Sequence, residues 1–135
     1  MIYVHVKDAA SEREFILMEA RLCQLYADDT EYSVLSKMPG QQLVGLVYEP
    51  ILPYFQHMRQ ERGAFRVLCD TYVTAESGTG VVHQAPYHGE DDYRVCLAAG
   101  IITRDMAAVC PVDASGCFTE PVTDFLVSFT PTFVY

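Results

Sequence analysis

Gly78-Thr79-Gly80-Val81-Val82-His83-Gln84-Ala85-Pro86-Tyr87-His88-Gly89-Glu90-Asp91-Asp92-Tyr93 is the stretch around which the rest of the chain is organised. It opens on a Gly-Thr-Gly turn, passes through apolar residues that suit a short buried strand, and breaks at Pro86, which has no N–H to give to a strand ladder. His88-Gly89 and three consecutive carboxylates then precede Tyr93, Val95, Cys96 and Leu97, whose spacing predicts a helix. Exposed backbone, an imidazole and a cluster of carboxylates thus converge on one strand-turn-helix unit. A single carboxylate at a helix start is worth about 0.3–1 kcal/mol against the helix dipole, so three exceed what capping needs. Asp92, beside Tyr93, suits a charge-assisted hydrogen bond to an ammonium group. The same spacing also fits an ordinary solvated helix N-terminus after a turn.

Outward from this unit, short extended pieces alternate with turns. Ile2–Lys7 alternates β-branched and aromatic residues and predicts a strand, with His5 on its solvent face. Phe15–Met18 predicts a second strand feeding a helix that ends before Asp28, with Leu22, Leu25 and Tyr26 as core. Tyr32–Met38 predicts a third strand, closed by Pro39-Gly40. The glycines of Gly40-x-x-Leu43-x-Gly45 let backbone pass close to neighbouring strands, and Gln56–Gly63 is a charged surface connection. Phe65–Asp70 predicts a further strand, Ile101-Ile102 and Ala107–Val112 short extended pieces, and Asp113–Gly116 a tight turn. Several short strands with few helices imply an α+β domain built on a small, partly closed β-barrel with peripheral helices.

Composition bounds the function. The chain has 135 residues, half of them apolar, which is one domain's worth with enough material for a core. A net charge of -9 with nine scattered basic residues disfavours autonomous binding to a nucleic-acid backbone, which needs clustered Lys and Arg. Five cysteines, an odd count, fit a reducing compartment. No Cys-x-x-Cys occurs and Cys110 and Cys117 are too far apart for a zinc knuckle, so no metal is expected, and no apolar run reaches the ~20 residues of a membrane span. Gly78-Thr79-Gly80 lacks the third glycine of a dinucleotide fingerprint.

The run from Gly78 to Tyr93, with Val109–Thr119 and Val122–Phe125, resembles the editing domain of cytoplasmic, eukaryotic-type isoleucyl-tRNA synthetases. Ile16–Leu22 and Gly40–Gly45 look like the same domain in the same order, so the likeness covers residues 1–125, and 126–135 is a divergent, uncharged apolar tail. The block from Cys110 to Cys117 favours the isoleucyl branch over the valyl and leucyl ones.

What the resemblance implies is hydrolysis of valine wrongly esterified to tRNA(Ile). Losing one methylene from an apolar pocket changes binding by only ~1–3 kcal/mol, a general figure for which the isoleucyl enzyme is itself the standard example, so a second and smaller pocket must remove valine. By resemblance, Asp92 anchors the substrate's α-ammonium group and His83 lines the pocket near the amino acid and terminal adenosine; these two are the candidate catalytic residues. Gly78, Thr79, Gly80, Val81 and Val82 form the pocket wall, with backbone amides facing the developing oxyanion, and Asp91 completes the substrate-binding set beside Asp92. Glu90 and Asp91 also suit solvation or capping, and His88 suits shaping the turn.

The same resemblance implies that water is the nucleophile and that editing needs no cofactor, with ATP belonging to the parent ligase and binding outside this chain. The implied partner is the 3′ end of aminoacylated tRNA(Ile), held by the rest of a cytoplasmic parent enzyme, with no membrane or DNA partner. The family's pocket also uses a threonine-rich strand upstream of these residues, so the expectation is an editing domain incomplete on its N-terminal side and inactive alone. A non-catalytic relic that binds a small amino acid, adenosine or a protein partner is the alternative.

Overall fold

β1 (Ile2–Asp8), in which Tyr3, Val4 and Val6 are buried, is the central strand. In the computed structural model, which describes residues 1–120 and 122–126, it pairs antiparallel with β2 (Glu14–Met18) on one side and β3 (Tyr32–Pro39) on the other. Opposite partners share a face, so Val4 and Val6 join Leu17, Tyr26, Leu22 and Tyr32 on one side of the sheet. Tyr3 meets Met18, Leu43 and Met38 on the other, where Val67, Val73 and Ala75 close over it. A register shift against β3 falls between His5 and Val6. His5 lies on the Tyr3 face, its Nε2 2.7 Å from Glu14 Oε2.

The helix expected after β2 is a 3-10 helix over Glu19–Gln24. Three residues per turn do not keep a 3.6-residue stripe on one side. Tyr26 is accordingly buried and Leu22 partly so, but Leu25 is half exposed, a correction to its assignment as core. A second 3-10 turn, Gly40–Leu43, carries the architectural glycine motif. A Cβ on Gly40 would lie 2.8 Å from the Tyr3 ring, which is why only hydrogen is tolerated there.

The described residues form an open three-stranded sheet with few helices, a mixed α+β arrangement, and not the partly closed barrel that the strand count implies. From residue 44 to residue 89 regular pairing shrinks to one bridge, Val47 with Arg66, extended by Gly45 N–H to Val67 O at 2.9 Å and Tyr48 N–H to Phe65 O at 3.0 Å. The strand expected over Phe65–Asp70 is reduced to this bridge. Left-handed backbone at Gly63 (φ 66°) and Phe65 (φ 59°) stops extension at its start, and Pro50, Pro53 and Pro86 cannot donate to a ladder. Val81-Val82-His83, expected as a buried strand, is exposed and unpaired in the described structure.

α1 (Met58–Arg62) occupies part of the surface connection, and α2 (Glu90–Ala98) is the acidic helix, followed as expected by a stop at Gly100 (φ 70°). α2 packs Cys96 against Ile101 and Ile102 in a third apolar cluster with Leu68, Tyr87 and Met106. The tight turn at Asp113–Gly116 forms: Val112 bridges Phe118, and Asp113 Oδ1 accepts from the amides of Ser115 (2.8 Å) and Cys117 (2.9 Å). Residues 127–135, nearly all of the apolar tail, lie outside the described residues. No described helix is long and apolar enough to cross a membrane.

Candidate functional site

The Gly-Thr-Gly loop lies on the end of the sheet, held by its carbonyl groups. Arg21 Nε donates to Gly78 O at 2.8 Å, Met18 N–H to Thr79 O at 2.9 Å, and the buried Tyr3 Oη to Gly80 O at 2.6 Å. Gly78 (φ 64°) and Gly80 (φ 78°) take left-handed backbone, which L side chains adopt only with strain. At Gly80 contact is also limiting, since a Cβ would stand 2.5 Å from Met18 Cβ. With three successive carbonyls turned toward the sheet, no acceptor among the described residues takes the N–H groups of Thr79, Gly80 or Val81. Burial pushes the Tyr3 phenol above its ordinary range, so it stays protonated as the donor.

From Gly80 the chain runs outward. Val81 is 58% and Val82 46% exposed, and His83 is exposed after them. Gln84 then draws the chain back: its amide nitrogen donates to Tyr72 Oη at 2.8 Å and its oxygen accepts from Cys96 Sγ at 3.2 Å. Ala85 to His88 is a turn closed by His88 N–H on Ala85 O at 2.9 Å. His83 therefore sits between two anchored positions, the Gly80 carbonyl and the Gln84 side chain.

Asp92 closes this turn from the helix side. It is half-buried in the first turn of α2, and its Oδ1 accepts from Ala85 N–H at 3.0 Å. Gly89 makes room for it, since Asp92 Oδ2 occupies the space of a Cβ there, 2.1 Å from the ideal position. The carboxylate is thus aimed back along the chain toward the segment that carries His83, although no hydrogen bond or ion pair joins His83 to Asp92 among the described residues. Burial first, and then the Asp92 charge one turn away, push the Cys96 thiol upward, which leaves it a poor nucleophile at neutral pH.

Asp91 belongs to a different constellation, one that sequence reasoning missed. Arg94 grips Asp70 through two bonds of 2.9 Å and takes Asp91 Oδ1 at 2.8 Å. This bidentate pairing holds the Asp70 carboxyl at about 2, by the Arg94 hydrogen bonds first and the Tyr72 amide second, and pushes Arg94 upward. The spacing of Asp91 and Arg94, three residues apart on a helix, was the available signal. Asp70, distant in sequence, gave none. Of the acidic cluster, then, Asp91 is committed to a guanidinium and Asp92 to a neutral amide.

Two open hollows, about 260 and 430 Å³, flank Asp8, Ala9 and Thr30 at the far end of β1, and the candidate residues line neither. Among the described residues no group of three or more His, Cys, Asp or Glu side chains converges as a metal site.

No family model matches the chain. It is similar to the cytoplasmic isoleucine–tRNA ligase of Caenorhabditis elegans, 53% identical over 125 residues, or 93% of this chain and 11% of the relative. The cytoplasmic enzyme of Mus musculus is 55% identical over 124 residues (92% and 10%), and that of Saccharomyces cerevisiae 44% over 125 residues (91% and 12%). The chain therefore spans about a tenth of the length of these relatives.

Proposed function

Starting from the homology of this chain to one segment of isoleucine–tRNA ligases, we propose that it is the Asp92-containing part of an editing domain. In the cytoplasmic parent enzyme, which joins isoleucine to its tRNA, such a domain hydrolyses valyl-tRNA(Ile). The single observation that carries this reading is the aim of Asp92. Unlike Glu90 and Asp91 it is half-buried, its carboxylate has no cationic partner among the described residues, and it is tied by one oxygen to Ala85, two residues beyond His83.

The chemistry follows from charge. A valyl ester presents an α-ammonium group, and a carboxylate already fixed by one neutral hydrogen bond retains lone pairs for a charge-assisted second one. Asp92 is the anchor and Asp91, held by Arg94, adds negative field one residue away. His83 projects from the adjoining segment and lines the amino-acid end of the site. The uncommitted amides of Thr79, Gly80 and Val81 stabilise the oxyanion that forms when water attacks the ester carbonyl. Water displaces the tRNA ribose oxygen, giving free valine and deacylated tRNA. Isoleucine survives because a valine-sized wall of Val81 and Val82 excludes one more methylene. The acidic chain does not grip RNA by itself; the rest of the parent delivers the 3′ end, and ATP acts elsewhere in it.

One observation favours a second reading, a non-catalytic module for a small amino acid, adenosine or a protein partner: Val81, Val82 and His83 are open to solvent and line neither hollow. Calorimetric titration with a non-hydrolysable valyl-adenosine analogue, paired with a deacylation assay on valyl-tRNA(Ile), separates the two. Binding that discriminates against the isoleucyl analogue supports editing, even without turnover by the isolated chain. Equal binding of adenosine alone supports the relic, and an absence of binding defeats both small-molecule readings.

A further inference from the structure

The candidate loop is secured from outside the conspicuous motif. Arg21, at the end of the 3-10 helix after β2, reaches three carbonyls of the segment that leads into Gly-Thr-Gly: Gly78 O at 2.8 Å through Nε, and Glu76 O at 3.3 Å and Ala75 O at 3.4 Å through one terminal nitrogen. A planar guanidinium with five donors can serve several carbonyls at once, which an ammonium on a flexible stem does less well. The other two anchors, the Met18 amide and the Tyr3 hydroxyl, act only on Thr79 and Gly80. Among the described residues, no other side chain binds a carbonyl of residues 75–78. Ala75 packs on the Tyr3 cluster, and the polar anchoring of residues 75–78 to the sheet rests on this one cation.

We infer that Arg21 is a positioning residue for the deacylation site: by gathering the Ala75, Glu76 and Gly78 carbonyls it sets the loop whose outward amides face the ester. This rests on the editing reading above. It touches no substrate, and its effect passes through the loop. If the loop undocks, Thr79 O leaves the Met18 amide, so that amide is a reporter of docking independent of any ligand.

The test uses the 135-residue chain with Arg21→Met and Arg21→Lys. Hydrogen exchange is measured at the Met18 amide and at amides of the β1–β3 ladder, and affinity is measured for the non-hydrolysable valyl-adenosine analogue. The inference expects Met18 exchange to rise about tenfold in Arg21→Met with the ladder unchanged. Arg21→Lys should fall between, and analogue affinity should drop in the same order. Unchanged Met18 exchange overturns it, as does equal acceleration of the ladder, which would make Arg21 a residue of general stability. Undocking without loss of affinity overturns the positioning role while leaving the editing reading intact. If the unmodified chain binds no analogue, the editing reading fails at that point, and exchange at Met18 alone still decides whether Arg21 docks the loop.

Discussion

The hydroxyl of Tyr3 donates to the carbonyl oxygen of Gly80 at 2.6 Å, joining positions 77 residues apart in the chain. This buried bond couples the central strand to the candidate loop. Removing the donor leaves a buried carbonyl without its partner, so Tyr3→Phe should cost about 1–3 kcal/mol, read as a lower urea midpoint with an unchanged slope. An unaltered midpoint would show that the loop is not docked through Tyr3.

The two glycines of the loop should respond differently. Gly80→Ala places a Cβ 2.5 Å from Met18 Cβ in left-handed backbone, and a loss of at least about 2 kcal/mol is expected. Gly78→Ala meets nothing within 4 Å, so it carries only the strain of its backbone angle, about 1–2 kcal/mol. Parallel denaturant titrations check the order, and equal losses would contradict the close approach at Met18.

Asp92→Asn separates structure from charge. The amide oxygen can still accept from Ala85 N–H, so the turn should persist, while the ammonium partner is lost. Unfolding should be nearly unchanged and affinity for the valyl-adenosine analogue should fall about tenfold or more. Asp92→Ala should loosen the turn as well. Retained affinity in the asparagine variant would remove Asp92 from the site.

Acid should expose the Arg94 clamp. The folded Asp70 carboxyl lies at about 2 against an ordinary 3.8, so the folded state favours the ionised form. Its contribution is complete above pH 3.8 and is lost as pH falls through about 2. Asp70→Asn should therefore flatten the stability profile between those values relative to the unmodified chain, as measured by unfolding at a series of pH values. Identical slopes would argue against the bidentate pair.

Core depth sets the last contrast. Leu17 is 1% exposed beneath Val4 and Val6, and Leu17→Ala should cost about 2–5 kcal/mol. Ile51 is 94% exposed, and Ile51→Ser should change stability by no more than about 0.5 kcal/mol.

Local signals in the sequence determined the three strands near the N-terminus, the acidic helix and the Asp113–Gly116 turn, because alternation, helical spacing and turn chemistry are set by residues a few positions apart. They misjudged Phe65–Asp70 and Val81–His83, where apolar runs met left-handed backbone or found no strand to pair with, and so implied a barrel where an open sheet stands. The tertiary structure alone decided that Tyr3, Met18 and Arg21 would hold the Gly-Thr-Gly carbonyls, that Arg94 would claim Asp70 together with Asp91, and that Asp92 would turn back to Ala85. Most of those contacts join residues far apart along the chain, and a hydrogen bond depends on where two groups arrive in space, which no periodicity along the chain records.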